Sequence, residues 1–492
     1  MRSALKWGLA AGLIAMSMGT ASAKDTLTIG QTLEPPGLDP TAGAAAPIRY
    51  ITYTNLYEGL VRVMQDGSVQ PLLAESWTVS DDQKTYTFTL RQGVKFHDGS
   101  SFDCSNVKFS YERAVAPDST NAQKGLFEPI EKTECPDAAT AVVTLKRPTS
   151  NFLFNMAWGD AVMMSPDSVA NNKTNPVGTG PFKFKEWVKG DKVVLEKNPD
   201  YWGTPAKLSQ VTFKFISDPS AAAAAIQAGD VDAFTSFQAP ELVNRFQNDA
   251  NLQVEIGSTS GKVVLALNNA RKPFDDLRVR QALAHAIDRK SVAEGTYSGF
   301  GAPIGSHYTP IEPGYVDLND AYAYDPAKAK ELLQAAGVPD GFEMTIQLPP
   351  PTYARRGGEI IAAMLAEVGI RANLVPLEFP QWLEQVFRGS DFDATIINHA
   401  EARDLDIYAR DKYYFNYQNP EYKALYKAFT EASSEEQQMD LLGQLQRKLS
   451  ADEPNVFLYA FPKIGVWNKK VKGLWVNMPV PADDVTQAYW EE

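Results

Sequence analysis

Residues 211–232 read VTFKFISDPSAAAAAIQAGDVD. Val211–Ile216 is a strand-like run. Ser217-Asp218 offers a side chain that can cap a helix N-terminus, and Pro219 falls where a first helical turn tolerates a missing N–H. An alanine run follows, and Gly229 supplies the stop. The same mixture recurs outward along the chain. Lys84–Arg91 alternates, with Tyr86, Phe88 and Leu90 on one face and Thr85, Thr87 and Thr89 on the other, which predicts an antiparallel strand with one buried face. Further strands are expected at Thr26–Gly30, Val193–Glu196, Val254–Ile256, Val263–Leu267, Met344–Leu348, Asn373–Leu377, Ala394–Asn398 and Val456–Val466. Helices are expected from Asp325-Pro326 to Gly337, and from about Asp276 to Glu294, with Val279, Leu283, Ala286 and Ile287 at helical spacing. A fourth pattern covers Tyr353–Val368. Gly357 and Gly358 lie inside it, each costing up to ~1 kcal/mol against Ala, so this helix is expected to start late or bend. Strand and helix signals that neither alternate strictly nor segregate predict α/β lobes.

The chain has 492 residues, enough for two or three domains. At 44% hydrophobic and 22% charged it reads as a globular chain, not a polytopic membrane protein, a disordered chain or a collagen repeat. Lys and Arg number 47 against 60 Asp and Glu, a net charge of −13. That sign excludes nucleic acid and anionic membrane surfaces as main partners. Prolines and glycines are spread, with no low-complexity linker, so the domains pack directly on one another.

The first 23 residues read as an address. Arg2 and Lys6 are basic, Trp7–Met18 is apolar, and Ala21-Ser22-Ala23 is a cleavage site, which together make a cleavable signal peptide. The apolar run is too short to span a bilayer of ~30 Å. Export predicts a periplasmic location, and in that oxidising compartment Cys104 and Cys135 are expected to form a disulfide.

Catalytic chemistry finds little support. His97, His285, His307 and His399 show no metal-binding spacing, so no metal and no cofactor is expected. Gly257–Lys262 reads GSTSGK, one residue short of a phosphate-binding loop, and Val263 follows where Ser or Thr is required. Thr259 at its centre also fails the G-x-S-x-G pattern. Ser105-Asn106-Val107-Lys108 matches S-x-x-K, but no K-T-G accompanies it.

Several blocks then occur in one order: LRQGVKFHDG at 90–99, NPVGTGPFKF at 175–184, KNPDYWG at 197–203, ISDPSAAAAAIQAGDVD at 216–232, LNNARKPFDDLRVRQALAHAID at 267–288 and DPAKAKELLQAAG at 325–337. With the signal peptide, this series resembles the family 5 extracellular solute-binding proteins of ABC importers, the dipeptide- and oligopeptide-binding group. The resemblance implies a periplasmic binding protein fold of class II, similar to cluster C: two hinged lobes and a smaller α+β domain inserted in lobe I. Mapped here, lobe I is residues 24–51, 160–260 and 470–492, the insert is 52–159, and lobe II is 261–469. It implies a monomeric receptor, not an enzyme, that closes on a short peptide or similar amino-bearing solute and delivers it to a membrane permease complex. An oligosaccharide, another polar solute or a metal chelate is the alternative ligand within the family. A secreted hydrolase is the alternative outside it.

The resemblance also implies contact residues. Asp404 and Asp406 are the acidic candidates for a ligand amine, in a loop reading HAEARDLDI at 399–407 where the family's usual Trp and Gly are absent. Arg355 and Arg356 fall where a guanidinium fork would hold a carboxylate. Glu34 lies in a first loop that reaches the cleft, and Trp382 falls where an aromatic side chain stacks on ligand or, equally, belongs to the core. Tyr408 belongs, with Tyr413, Tyr414, Phe415 and Tyr417, to an aromatic cluster open to three readings: peptide side-chain pocket, sugar platform or core.

Overall fold

Strand alternation decides which side of the sheet each residue serves, and two long strands decide how the sheets join. The computed structural model describes residues 24–492 apart from Ala44 and Ser433. The expected signal peptide, residues 1–23, lies outside the described residues.

The large sheet contains β1 (Thr26–Gln31), β2 (Phe182–Val188), β3 (Lys192–Lys197), β4 (Gln210–Phe215), β5 (Ala233–Phe234), β6 (Leu252–Leu267), β7 (Ala302–Pro303), β8 (Glu343–Leu348), β9 (Arg371–Pro376), β10 (Ala394–His399) and β11 (Asn455–Asn468). Its order is β9-β8-β10-β6-β11-β5-β1-β4-β3-β2, with β7 on β11. β1 runs parallel to β4, and β8 parallel to β9 and β10, while β6 is antiparallel to β10 and β11. The two strands expected at Val254–Ile256 and Val263–Leu267 are one 16-residue strand.

β6 and β11 belong to both halves of the molecule. Leu252 pairs with Asn468 and Ser258 with Pro462 in the first half, and Lys262 pairs with Ala460 through to Ala266 with Asn455 in the second. The register shifts between Ser258 and Lys262, where the strand passes from one lobe to the other. The C-terminal return backs this crossing: Asn477 Oδ1 accepts from Ser258 N at 3.0 Å, and Ser260 Oγ donates to Pro479 O at 3.0 Å. Gly257 is required there, because a Cβ would lie 2.0 Å from the Val476 carbonyl oxygen. The GSTSGK motif is thus a strand crossing, not a loop before a helix. Ile464–Asn468 pairs with the first-lobe half of β6, and Val466 and Trp467 pair with β5, so the outer end of the 261–469 stretch lies in the first lobe's sheet.

In the second lobe the period-two pattern feeds two layers. Val263, Leu265 and Leu267 join Ile346, Leu348 and Ile396 under the helices Leu277–Ala286, Pro326–Ala335 and Thr352–Glu367. Val264 and Ala266 face the opposite layer, where Tyr408, Tyr414, Phe415, Tyr417 and Tyr422 pack with the helices Pro420–Thr430 and Glu435–Asp452. The expected helix from Asp276 to Glu294 is two helices, Leu277–Ala286 and Arg289–Tyr297. Ile287 between them is extended, and Asp288 caps the second by accepting from Lys290 N. The Thr352–Glu367 helix does not start late at its glycines. Gly358 lets it lie against the sheet, since a Cβ there would meet Leu348 Cδ1 at 2.6 Å.

The segment between the two parts of lobe I folds on its own four-stranded antiparallel sheet, ordered Ala74–Val79, Thr85–Leu90, Thr140–Leu145, Ile130–Asp137. Tyr86, Phe88 and Leu90 are buried as their alternation predicts, and the helix Cys104–Val115 packs over them with Val107, Tyr111 and Ala114. Cys104 and Cys135 form a disulfide that ties this helix to the edge strand, their Cα atoms 5.7 Å apart. Arg49 and Asp160 flank the segment in sequence and pair in the interior, with Nε donating to Oδ2 at 2.6 Å.

The disulfide closes 31 positions, so its loss loosens the unfolded chain. Replacing Cys104 and Cys135 together by Ser is expected to lower unfolding free energy by about 2–4 kcal/mol. Urea unfolding of the oxidised protein measures this, and an unchanged midpoint would contradict it.

Candidate functional site

The loop that leaves β10 carries the site. After His399 the chain runs to Arg403, held in the left-handed region at φ 57°, and then into a short 3₁₀ turn at Leu405–Tyr408. Glu312 fixes the bend by accepting from Arg403 N at 2.7 Å. The Arg403 side chain crosses to the inserted domain. Its Nη2 donates to Gly67 O at 2.9 Å, and its guanidinium lies 3.9 Å from the centre of the Phe154 ring.

Two connected chambers lie along this loop. The first, about 950 Å³, has the inserted domain on one side, through Gln123, Arg147, Asn151, Asn155 and Trp158, and the second lobe on the other. Its charged lining is mixed: Glu128, Glu401, Asp404, Asp406 and Glu431 against Arg147, Arg403, Arg410, Lys423 and Lys427. The second, about 610 Å³, adjoins it through Gln123, Glu401, Asp404 and Arg410 and is otherwise mostly aromatic and aliphatic. Trp382, Tyr413 and Tyr414 line it.

Asp404 therefore stands where expected, on both chambers, but its charge is already partnered. Lys262 Nζ, wholly buried at the strand crossing, donates to Asp404 Oδ1 at 2.6 Å and also to the Glu401 carbonyl. Burial alone would raise the Asp404 pKa; Lys262 and His307 outweigh it and hold the carboxyl well below the usual range. A folded value below the unfolded one means that this charge stabilises the protein above the unfolded pKa and loses that effect as pH falls through the folded value. The amine anchor expected at Asp404 is thus filled from within the protein. Asp406 lines the first chamber and is held by Arg410 Nε at 2.9 Å and Nη2 at 2.7 Å.

Folding also corrects the histidine reading. His307 and His399, 92 positions apart in sequence, converge with Asp404, with ligand-type atoms within 4.8 Å of one another. Protons account for the cluster. Ionised Asp404 can only accept, so His307 Nε2 donates to its Oδ2 at 3.2 Å, and Nδ1 of the neutral ring accepts from Tyr408 Oη at 3.0 Å, which in turn accepts from Asn455 Nδ2 at 2.8 Å. His399 Nε2 pairs with Tyr414 Oη at 2.9 Å, and burial lowers its pKa to about 3, keeping it neutral.

Four expected contacts lie outside both chambers. Tyr408 is fully buried in the aromatic layer, with its hydroxyl used by His307 and Asn455. Arg355 pairs with Glu378 at 3.3 Å, and the neighbouring Arg356 is exposed. Glu34 accepts from Trp187 Nε1 at 2.9 Å and Gly190 N at 3.1 Å within the first lobe. Sequence reasoning missed the whole inserted-domain wall, because nothing local marks residues 147–158 as facing residues 401–431.

Asp404→Asn is expected to cost about 3–5 kcal/mol, because it strands a buried ammonium. Adding Lys262→Met should restore a good part of that loss. Chemical unfolding of the two single variants and the double variant measures the coupling, and additive losses would contradict it.

Residues 68–428 match the sequence profile described as bacterial extracellular solute-binding proteins, family 5. The glutathione-binding protein GsiB of Salmonella paratyphi A is 34% identical over 395 residues, 77% of this chain and 75% of that protein. The glutathione-binding protein GsiB of Pectobacterium atrosepticum is 31% identical over 501 residues, 96% of each. Among solved structures, the periplasmic binding protein DppA of Helicobacter pylori, in complex with the peptide STSA, superposes with a TM-score of 0.77 at 27% identity, covering 96% of this chain and 99% of that one. No helix among the described residues is long and apolar enough to cross a membrane. The chain belongs to the bacterial extracellular solute-binding proteins of family 5.

Proposed function

We propose that this protein is the exported substrate-binding receptor of an ABC importer and that it takes a short zwitterionic peptide between its lobes. The mixed-charge chamber carries this reading. A ligand with a free amine and a free carboxylate needs both signs within one cleft, and the acidic Glu401 and the basic Arg147 line the same chamber. Arg147, which is exposed, suits a carboxylate bidentately. Glu401, which is exposed, suits an amine better than Asp404, whose charge is used by Lys262, or Asp406, which Arg410 holds.

Closure follows from the shared strands. One lobe comprises residues 24–51, 160–260 and the C-terminal return, with 52–159 as its insert, and the other runs from 261 to the crossing on β11. Rotation at Ser258–Lys262 would bring the walls together, provided that ligand binds the closed form better than the open one. The protein acts as a periplasmic monomer without chemistry of its own and hands its cargo to a separate permease. The relatives named for glutathione and the peptide complex of DppA support a peptide ligand. The aromatic second chamber favours an oligosaccharide as the second reading.

Isothermal titration with free di- to pentapeptides, glutathione among them, tests the proposal against N-acetylated and C-amidated versions of the best binder. Each cap is expected to weaken binding at least about tenfold, or 1.4 kcal/mol. Binding of a sugar with no peptide bound, or steady peptide hydrolysis, would contradict it.

A further inference from the structure

The second chamber has a floor that the charged chamber lacks. Phe379 and Phe387 are 44% and 42% exposed, the only exposed phenylalanines among the described residues, and both line this chamber. They flank Trp382 in a near-parallel series. The Phe379 and Trp382 rings are 5.6 Å apart at 15°, and the Trp382 and Phe387 rings 6.2 Å apart at 23°.

The backbone is shaped to make this series. The helical turn Phe379–Trp382 continues into a π-helical segment, Leu383–Arg388, where Gly389 N reaches back five residues to Glu384 O. The wider repeat carries Phe387 beside Trp382, five positions earlier, which a regular α-helix would turn away. Such π segments concentrate at functional sites. Trp382 is locked from behind, its Nε1 donating to Thr395 Oγ1 at 2.9 Å, while that hydroxyl donates to Gln347 O at 2.6 Å. The Phe379 and Phe387 rings beside it are exposed in a concave site, a state that costs hydrophobic free energy until something apolar covers them. Leu383, Ile397 and Ile407 make the nearby walls aliphatic, and the charged groups Glu401, Asp404 and Arg410 stand where the chamber meets the first one.

We infer that this chamber is a side-chain subsite selecting a planar aromatic ring on the peptide ligand, whose charged ends stay in the first chamber. The inference rests on the peptide reading above. Charge at the junction and apolar walls beyond it match a residue with a polar main chain and a ring.

Titration calorimetry with trialanine, with tripeptides bearing one Phe at each position, and with their cyclohexylalanine counterparts tests this. At one position Phe is expected to bind about tenfold tighter than Ala and tighter than the saturated ring. Phe379→Ser and Phe387→Ser should each remove most of that preference. Phe387→Leu, the milder change, should lose the preference for Phe over cyclohexylalanine. Peptide binding with no ring preference at any position would overturn the subsite and leave the peptide reading standing. A ring preference untouched in all three variants would also overturn it. No binding by any peptide, or a maltotriose affinity that depends on Phe379, would overturn both.

Discussion

Two antiparallel strands, β6 and β11, hold the lobes in one sheet, and the break in their register between Ser258 and Lys262 sets where one lobe ends and the other begins. Every other arrangement follows from that crossing. On one side β5, β1 and β4 extend the sheet of the first lobe, and on the other β10 and β8 extend the second. A shared strand pair transmits rotation without separating the lobes, because its hydrogen bonds persist while a few backbone angles change.

The crossing also reaches the cleft through one side chain. Lys262 is the first residue beyond the register shift, and its ammonium lies beneath the loop that lines both chambers. Taking that charge out of water is costly unless it is fully partnered, and Asp404 with the Glu401 carbonyl supplies the partners. The loop bearing Glu401, Arg403 and Asp406 is thereby fixed to the strand about which the lobes would turn. Buried ion pairs of this kind hold geometry more than they add net stability. The neutral histidines and tyrosines around Asp404 extend the same packing into the aromatic layer.

Much of the fold was legible in local pattern. The Asp218-Pro219 start and Gly229 stop bound their helix, and alternation at Lys84–Arg91 buried the expected side chains. The misreadings have physical causes. A helix-like stripe through Asp288 hid a second cap, and Gly358 read as weakness where it allows close packing. The site was less legible because it is made by loops distant in sequence. Asp404, Asp406 and Trp382 line the chambers. Tyr408 was drawn into the core by its hydrogen bonds, and no sequence pattern reveals that Lys262 partners Asp404. Phe387 escaped because its relation to Trp382 depends on a π turn, which helical spacing does not anticipate.

Native mass spectrometry of the protein, purified without denaturation from cells grown in peptide-rich medium, tests the central claim most directly. The account predicts a mass excess matching short peptides, lost on mild unfolding and refolding, and restored by adding the peptides identified. A retained oligosaccharide in their place, or a refolded protein that recovers no added peptide, would contradict it.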